Sequence, residues 1–351
     1  MTNPGLEGVV VADTRISDVD GERGALVIAG ADVEQLARTT PYEGAVARVL
    51  AAGGADGAAI TPAAIGAARG AAWELVPRLG DALDHPDAMD ALRTALGHLR
   101  ATGDDARDAI AAIGAAPVVV AAWSRRRARA EAIAPDPGLG HAADYLRMTT
   151  GAAPAPGAVR ALDAYLVTVI DHAMSASTLT ARVIASTASD LISAVVGAVG
   201  ALKGPLHGGA PGPVLDMLDA VGADPEAWLI RELAAGRRIM GMGHRVYRVR
   251  DPRAAVLEEA VLPLASPRLE LARAVERAAA KILRERKPDR PLAANVEFYT
   301  AVLLDAVGLP REQFSATFAV GRIAGWSAHV IEQRRTGRLI RPASNYIGAR
   351  P

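Results

Sequence analysis

The chain reads as all-α, and three observations support this. Half of its 351 residues are hydrophobic but only 4% are aromatic, so a core must be built from Ala, Leu, Val and Ile. Such small or unbranched side chains pack helices closely and mostly cost little helix propensity. From residue 41 onward apolar residues recur at helical spacing, broken by punctuation such as Gly53-Gly54, His85-Pro86 and Thr102-Gly103-Asp104-Asp105. The length suits one large domain or two ordinary ones, and no repeat of fixed period is present.

The elements follow in order. Val9–Val11 and Ala25–Ile28 read as two short strands of a hairpin, a minor decoration on a helical protein. Residues 41–130 are Ala/Leu-rich helices, and the Pro- and Gly-bearing stretches 133–140 and 151–157 are loops. Residues 161–174 have helical period, and 177–202 reads as one long small-residue helix that stops at Lys203-Gly204-Pro205. A new helix is expected near Val214 and another over 226–235, ended by Gly236. Ile239–His244 is a glycine-bearing loop. Residues 269–285 form a charged amphipathic helix with a solvated face, and 298–307 and 314–334 are further helices.

Composition excludes several functions. Lys plus Arg equals Asp plus Glu at 39 each, so there is no broad positive field for nucleic acid. Without cysteine, disulfides, thiolate nucleophiles and thiolate metal sites are ruled out. No HExxH-like spacing suggests a metal, and none is expected. The first residues lack a basic segment followed by an apolar one, as a secretory signal would have. The longest uncharged apolar stretch, Ala109–Trp123, is shorter than the roughly 20 residues of a membrane span. A soluble cytoplasmic protein without membrane or nucleic-acid partners is expected.

Candidate chemistry lies in the seven histidines. A lone histidine is ordinarily a satisfied core or surface residue, which is the reading for His85, His98, His141 and His329. Three have more telling neighbours. His207 precedes Gly208-Gly209, His244 follows Gly241-Met242-Gly243, and His172 directly follows Asp171. Glycine lets backbone and ligand approach closely, and a neutral imidazole held there can polarise a carbonyl.

These histidines lie in blocks that resemble citrate synthases: LKGPLHGGA at 202–210 and IMGMGHRVYRVRDPR at 239–253. ANVEFY at 294–299, FAVGRIAGWSAHVIEQ at 318–333 and ALDAYLVTVIDHAMSASTLTARVIAST at 161–187 are similar to the same family. So are Arg341-Pro342, Tyr346-Ile347-Gly348 and the opening GLEGVVVADTRISDVDGERG. The resemblance implies a two-domain helical fold, a large domain of 1–210 with 306–351 and a small one of 211–305. It also implies Claisen-type condensation of acetyl-CoA with oxaloacetate to give citrate and CoA. In that reading Glu297 is the base, His207 stabilises the developing enolate and His244 polarises the ketone. His172, Arg253, Arg322 and Arg341 hold the dicarboxylate, which suits the bidentate guanidinium fork. Arg341 would reach across a homodimer. Arg248 would touch CoA phosphates, and Met240, Gly241, Met242 and Gly243 would meet the adenine. The run Ser124–Arg129 has no such support and reads as a solvated helix face.

The sequence departs from the family at several points. Glu297 stands where Asp is usual, and its extra methylene moves the carboxylate by roughly 1 Å, enough to cost on the order of 100-fold in rate if uncorrected. Ser175 replaces the usual Asn, Val169 a His and Ala29 an Arg, and the usual Gly-Glu-Leu-Pro turn is missing from 41–80. The alternatives are a 2-methylcitrate or other alkylcitrate synthase using propionyl-CoA or a longer acyl-CoA, and a catalytically weak paralogue that binds CoA or a dicarboxylate.

Overall fold

The computed structural model describes residues 5–6, 8–208, 211–286 and 292–350. A small antiparallel sheet opens the chain: β1 (Ser17–Asp20), β2 (Ala25–Ile28) and β3 (Ala31–Asp32), with Ser17 opposite Ile28 and Val27 opposite Asp32. The helices of the first half are α1 (Val33–Thr39), α2 (Tyr42–Gly53), α3 (Pro62–Ala72), α4 (Ala88–Leu96), α5 (Asp105–Arg127), α6 (His141–Thr150) and α7 (Pro156–Thr168). Those of the second half are α8 (Ala176–Ser186), α9 (Leu191–Leu202), α10 (Pro211–Val221), α11 (Pro225–Ala234), α12 (Pro252–Val261), α13 (Arg268–Arg286), α14 (Val296–Ala306) and α15 (Phe314–Thr336).

Two long helices organise the core. α5 has the length and hydropathy of a membrane span, yet 78% of its most apolar window is buried against its neighbours, α3, α4, α6 and α15 among them. α15 is buried from Ala316 to Gln333 and packs on α2, α5, α8 and α9. Its Gly321 and Gly325, one turn apart, let the 166–171 segment come very close. A Cβ on Gly325 would lie 2.2 Å from the Ile170 carbonyl oxygen, and one on Gly321 2.6 Å from Val169 Cγ2. That approach sets Arg322, between the two glycines, beneath the segment that leads to His172.

Three expectations are corrected. The first strand is Ser17–Asp20, not Val9–Val11; Val10 is 83% exposed, whereas Ile16 enters the core. Burial of one face, not a run of β-branched residues, fixes the strand. The helix expected to reach Met174 stops at Thr168, whose hydroxyl bonds back to the carbonyls of Ala164 and Tyr165, so His172 lies on a loop. The long 177–202 helix is two. Ala188 turns to φ +66°, and Asp190 caps α9 by accepting from the Ser193 N–H at 2.8 Å.

Away from the site, Arg69 pairs with Asp144 at 3.0 Å with both side chains wholly buried. Removing one partner of such a pair strands the other. Asp144→Ala is expected to lower the unfolding free energy by about 3–5 kcal/mol in urea titrations, because Arg69 loses its ion-pair partner inside the core.

Candidate active site

The loop between α7 and α8 carries His172. Asp171 beside it is wholly buried; its carboxylate accepts from the Ser17 hydroxyl and the Ala173 N–H (3.1 Å), and lies 3.2 Å from His329 Nε2. Burial pushes this carboxyl up, but His329, Arg322 and Ser17 outweigh it and hold it below the usual range. An ionised Asp171 therefore anchors the loop. His329 is a satisfied core histidine, its Nδ1 accepting from Arg182 at 3.0 Å.

The loop between α11 and α12 carries His244 and rests on the start of α14. Gly241 (φ +74°) and Gly243 (φ +86°) adopt left-handed backbone, and a Cβ on Gly241 would meet Phe298 at 2.9 Å. Asn295 joins loop to helix: its amide donates to the Gly243 carbonyl (2.8 Å), and its side-chain oxygen accepts from the Glu297 N–H (3.0 Å). This cap places Glu297 in the first turn of α14.

The two histidine loops meet. The rings of His172 and His244 are 5.4 Å apart edge to face, and Tyr247 lies 5.6 Å from the first and 4.8 Å from the second. The Tyr247 hydroxyl is 3.2 Å from His172 Nε2. Arg253 is buried and paired bidentately with Asp251 through Nε (3.0 Å) and Nη2 (2.7 Å), and its guanidinium sits 5.9 Å from the Tyr247 ring centre. Arg322 is buried too. Its Nε donates to the Val169 carbonyl at 2.5 Å, and it lies over Phe318 at 4.8 Å. Burial draws its pKa down to about 10, still a cation at neutral pH.

The hydrogen bonds fix each imidazole. His244 Nδ1 accepts from the N–H groups of Val246 (3.0 Å) and Tyr247 (3.1 Å), so the neutral ring carries its proton on Nε2. His207 is the mirror case. Its Nε2 accepts from the Ser177 N–H (3.3 Å) and lies 2.7 Å from the Ser177 hydroxyl, which itself accepts from Trp326 Nε1 at 3.1 Å. Ser177 thus donates to His207, whose proton is on Nδ1. Burial lowers both rings to about 4, helped by Arg322 at His207 and by Arg253 at His244. Both are neutral N–H donors at pH 7, the form that can polarise a carbonyl.

Glu297 is driven the other way. Burial raises it to about 7, against the pull of Arg253 and Arg322. Its Oε2, Arg322 Nη2 and the Tyr165 hydroxyl are buried and have no hydrogen-bond partner among the described residues. A carboxylate poised near neutrality, two neutral imidazole donors and two buried guanidinium groups have the chemistry of an acid–base site.

His172, His244, Arg253, Arg322, Glu297 and His207 are thus bound into one network of contacts and mutual charge effects. Other candidates lie apart. Arg248 is exposed, 3.9 Å from Glu22, and Arg341 is exposed on the extended C-terminal tail. Met240 and Met242 are half-buried on the 239–243 loop. Gly209 lies outside the described residues. Within Ser124–Arg129, Arg126 pairs with Asp84, Arg125 bonds to the Glu131 carbonyl, and Arg127 lies 6.0 Å from the Trp123 ring centre. Sequence reading missed Tyr247, Ser177 and Trp326. Tyr247 sits inside the His244 block, three residues on, and its position there was a usable signal.

Comparison with known proteins agrees with this class. The family model described as "Citrate synthase, C-terminal domain" matches residues 5–343. "Putative citrate synthase 2" of Mycobacterium tuberculosis is 40% identical over 99% of this chain and 93% of its own length. The citrate synthase of Deinococcus radiodurans is 35% identical over 99% and 96%. A 2-methylcitrate synthase of M. tuberculosis is 35% identical over 98% and 90%. The crystal structure of citrate synthase from Thermotoga maritima superposes with a TM-score of 0.86 at 33% identity, covering 99% of this chain and 96% of that one. A ternary complex of the Thermoplasma acidophilum citrate synthase with carboxymethyl coenzyme A and oxaloacetate gives 0.86 at 27% identity, over 99% and 96%. The chain belongs to the citrate synthase family.

The tautomers are open to direct measurement. Nitrogen-15 NMR of the imidazoles at pH 7 is expected to show His244 protonated on Nε2 and His207 on Nδ1, both neutral. Ser177→Ala should release His207 into a mixture of tautomers while leaving His244 unchanged.

Proposed function

We propose that the chain condenses acetyl-CoA with oxaloacetate to give citrate and free CoA. The observation that carries this is the pairing of a near-neutral carboxylate with two histidines locked as neutral donors. The Glu297 carboxylate takes a proton from the thioester methyl while His207 Nδ1–H donates to the thioester oxygen. His244 Nε2–H donates to the ketone oxygen of oxaloacetate, and the enolate carbon attacks the ketone carbon. The resulting oxyanion takes up a proton, and water then cleaves the citryl thioester. Arg322 and Arg253, with His172, hold the dicarboxylate, and the unpartnered Arg322 Nη2 supports that role.

The domains in this reading are 1–210 with 306–351 and 211–305, closing over the substrates to exclude water. The active form is a cytoplasmic homodimer. Its support is the tail after α15, exposed from Arg341 to Arg350 with Ile347 at 98%, which offers Arg341 to a second copy. Arg248 and the Met240–Gly243 loop receive CoA, and no metal takes part.

Thiol release with acetyl-CoA or propionyl-CoA plus oxaloacetate tests the reading. Wild type should turn over, and the faster acyl-CoA identifies the substrate. Glu297→Gln should lose about 10²–10⁴-fold in kcat, the usual contribution of a positioned base. An inactive wild type that gains activity as Glu297→Asp would contradict it and favour the weak paralogue. The base acts as carboxylate, so kcat/KM should fall as pH drops through about 7, where Glu297 protonates. His207 and His244, neutral above about 4, should add no limb between pH 6 and 8. Arg341→Ala should raise KM for oxaloacetate about tenfold or more by removing a charged hydrogen bond, while sedimentation still shows a dimer.

A further inference from the structure

The hairpin at the start of the chain touches both histidine loops. On one side, the Ser17 hydroxyl donates to Asp171 and accepts from the Ala173 N–H at 2.8 Å. Ala173 is a non-glycine residue at φ +48°, the sparsely populated left-handed region, directly after His172. Its N–H is held by Ser17 and Asp171 together, so Ser17 restrains a strained turn that aims His172. On the other side, the Gly21 carbonyl accepts from the Arg248 N–H at 2.9 Å. The tip is packed so closely that a Cβ on Gly21 would lie 2.3 Å from the Val246 carbonyl oxygen. Val246 and Tyr247 are the residues whose N–H groups fix His244 Nδ1. Between the two ends run only Asp18, Val19 and Asp20 of β1, paired along their length with β2, and the hairpin is rooted in the core through Ile16, Leu26 and Ile28.

We propose that this hairpin is a clasp holding the His172 and His244 loops in register, with Ser17 and Gly21 as positioning residues for the 2-oxo acid subsite. It rests on the function proposed above. Neither residue touches substrate; Ser17 acts through Asp171 and Ala173 on His172, and Gly21 through the 246–248 backbone on His244 and Tyr247. A clasp of this kind bears first on the affinity for the dicarboxylate, through His172 and His244.

Gly21→Ala is a suitable probe, because Gly21 does not use left-handed backbone and the three atoms nearest the added methyl all belong to Val246. Gly24, at φ +66°, would strain the hairpin itself and is avoided. The experiment measures oxaloacetate binding by calorimetry, steady-state kinetics, and hydrogen exchange of the Arg248 amide in wild type, Gly21→Ala, Ser17→Ala and Ser17→Thr. The expected result is about tenfold weaker oxaloacetate binding for Gly21→Ala and Ser17→Ala, the size of one lost positioning hydrogen bond. It should come with a raised KM for oxaloacetate in both variants, little change in KM for acyl-CoA in Ser17→Ala, and faster Arg248 exchange in Gly21→Ala. Ser17→Thr, which keeps the hydroxyl, should restore binding. If Gly21→Ala does not fold, the Ser17 pair decides alone. Unchanged binding in the variants, or equal losses toward both substrates without rescue by Thr, overturns the clasp. A wild type that binds no oxaloacetate instead refutes the proposed function on which the clasp rests, while its Arg248 exchange still reports whether hairpin and loop are joined.

Discussion

Everything at this site depends on a cation buried without enough company. Arg322 sits under the 166–171 segment with one hydrogen bond, to a carbonyl, and one nitrogen that has no partner among the described residues. Burial of a charge is costly unless it is paired, and here the environment draws the pKa down to about 10 without neutralising it. The field of Arg322 then reaches its neighbours. It helps keep His207 and His172 neutral, helps hold Asp171 ionised and opposes the protonation of Glu297. A bound carboxylate would supply what the fold withholds.

The surrounding architecture serves that arrangement. Gly321 and Gly325 let α15 approach the His172 loop so closely that Arg322 cannot escape to solvent. Asp171, itself buried, is held by Ser17, Ala173 and His329 and does not hydrogen-bond to Arg322, whose Nη2 has no partner among the described residues. Arg253, by contrast, is neutralised by Asp251 in a bidentate pair, and the same Asp251 accepts from the Val296 N–H next to Glu297 (3.1 Å). One guanidinium is fixed and one is left wanting. Uncompensated groups of this kind are ordinarily found where a fold trades stability for function.

Much of this was legible in the sequence, for a physical reason. Glycine beside histidine is a local requirement that writes itself into a short motif, so His207 and His244 stood out, while Glu297 was marked only by the family resemblance of its block. The helical fold was legible from small apolar residues at helical spacing. What was hidden depended on long-range contacts. The helix ends at Thr168 and Ser186 because tertiary packing accepts left-handed turns at Ala173 and Ala188, and alanine gives no hint of that. Ser177 gains its role only when α8 meets the His207 loop, 30 residues away in sequence. The hairpin looked like decoration because nothing in residues 17–24 reveals that its two ends find different loops.

We propose that Arg322 is a cation kept short of partners for the sake of an anionic ligand. The most direct test is thermal unfolding of wild type and Arg322→Met, each with and without oxaloacetate. Methionine follows a similar path without the charge. The unliganded variant is expected to melt no lower than wild type, and oxaloacetate to raise the midpoint of wild type but not of the variant. A variant that melts well below wild type yet is still stabilised by oxaloacetate would contradict it, making Arg322 a structural residue and placing the anion elsewhere.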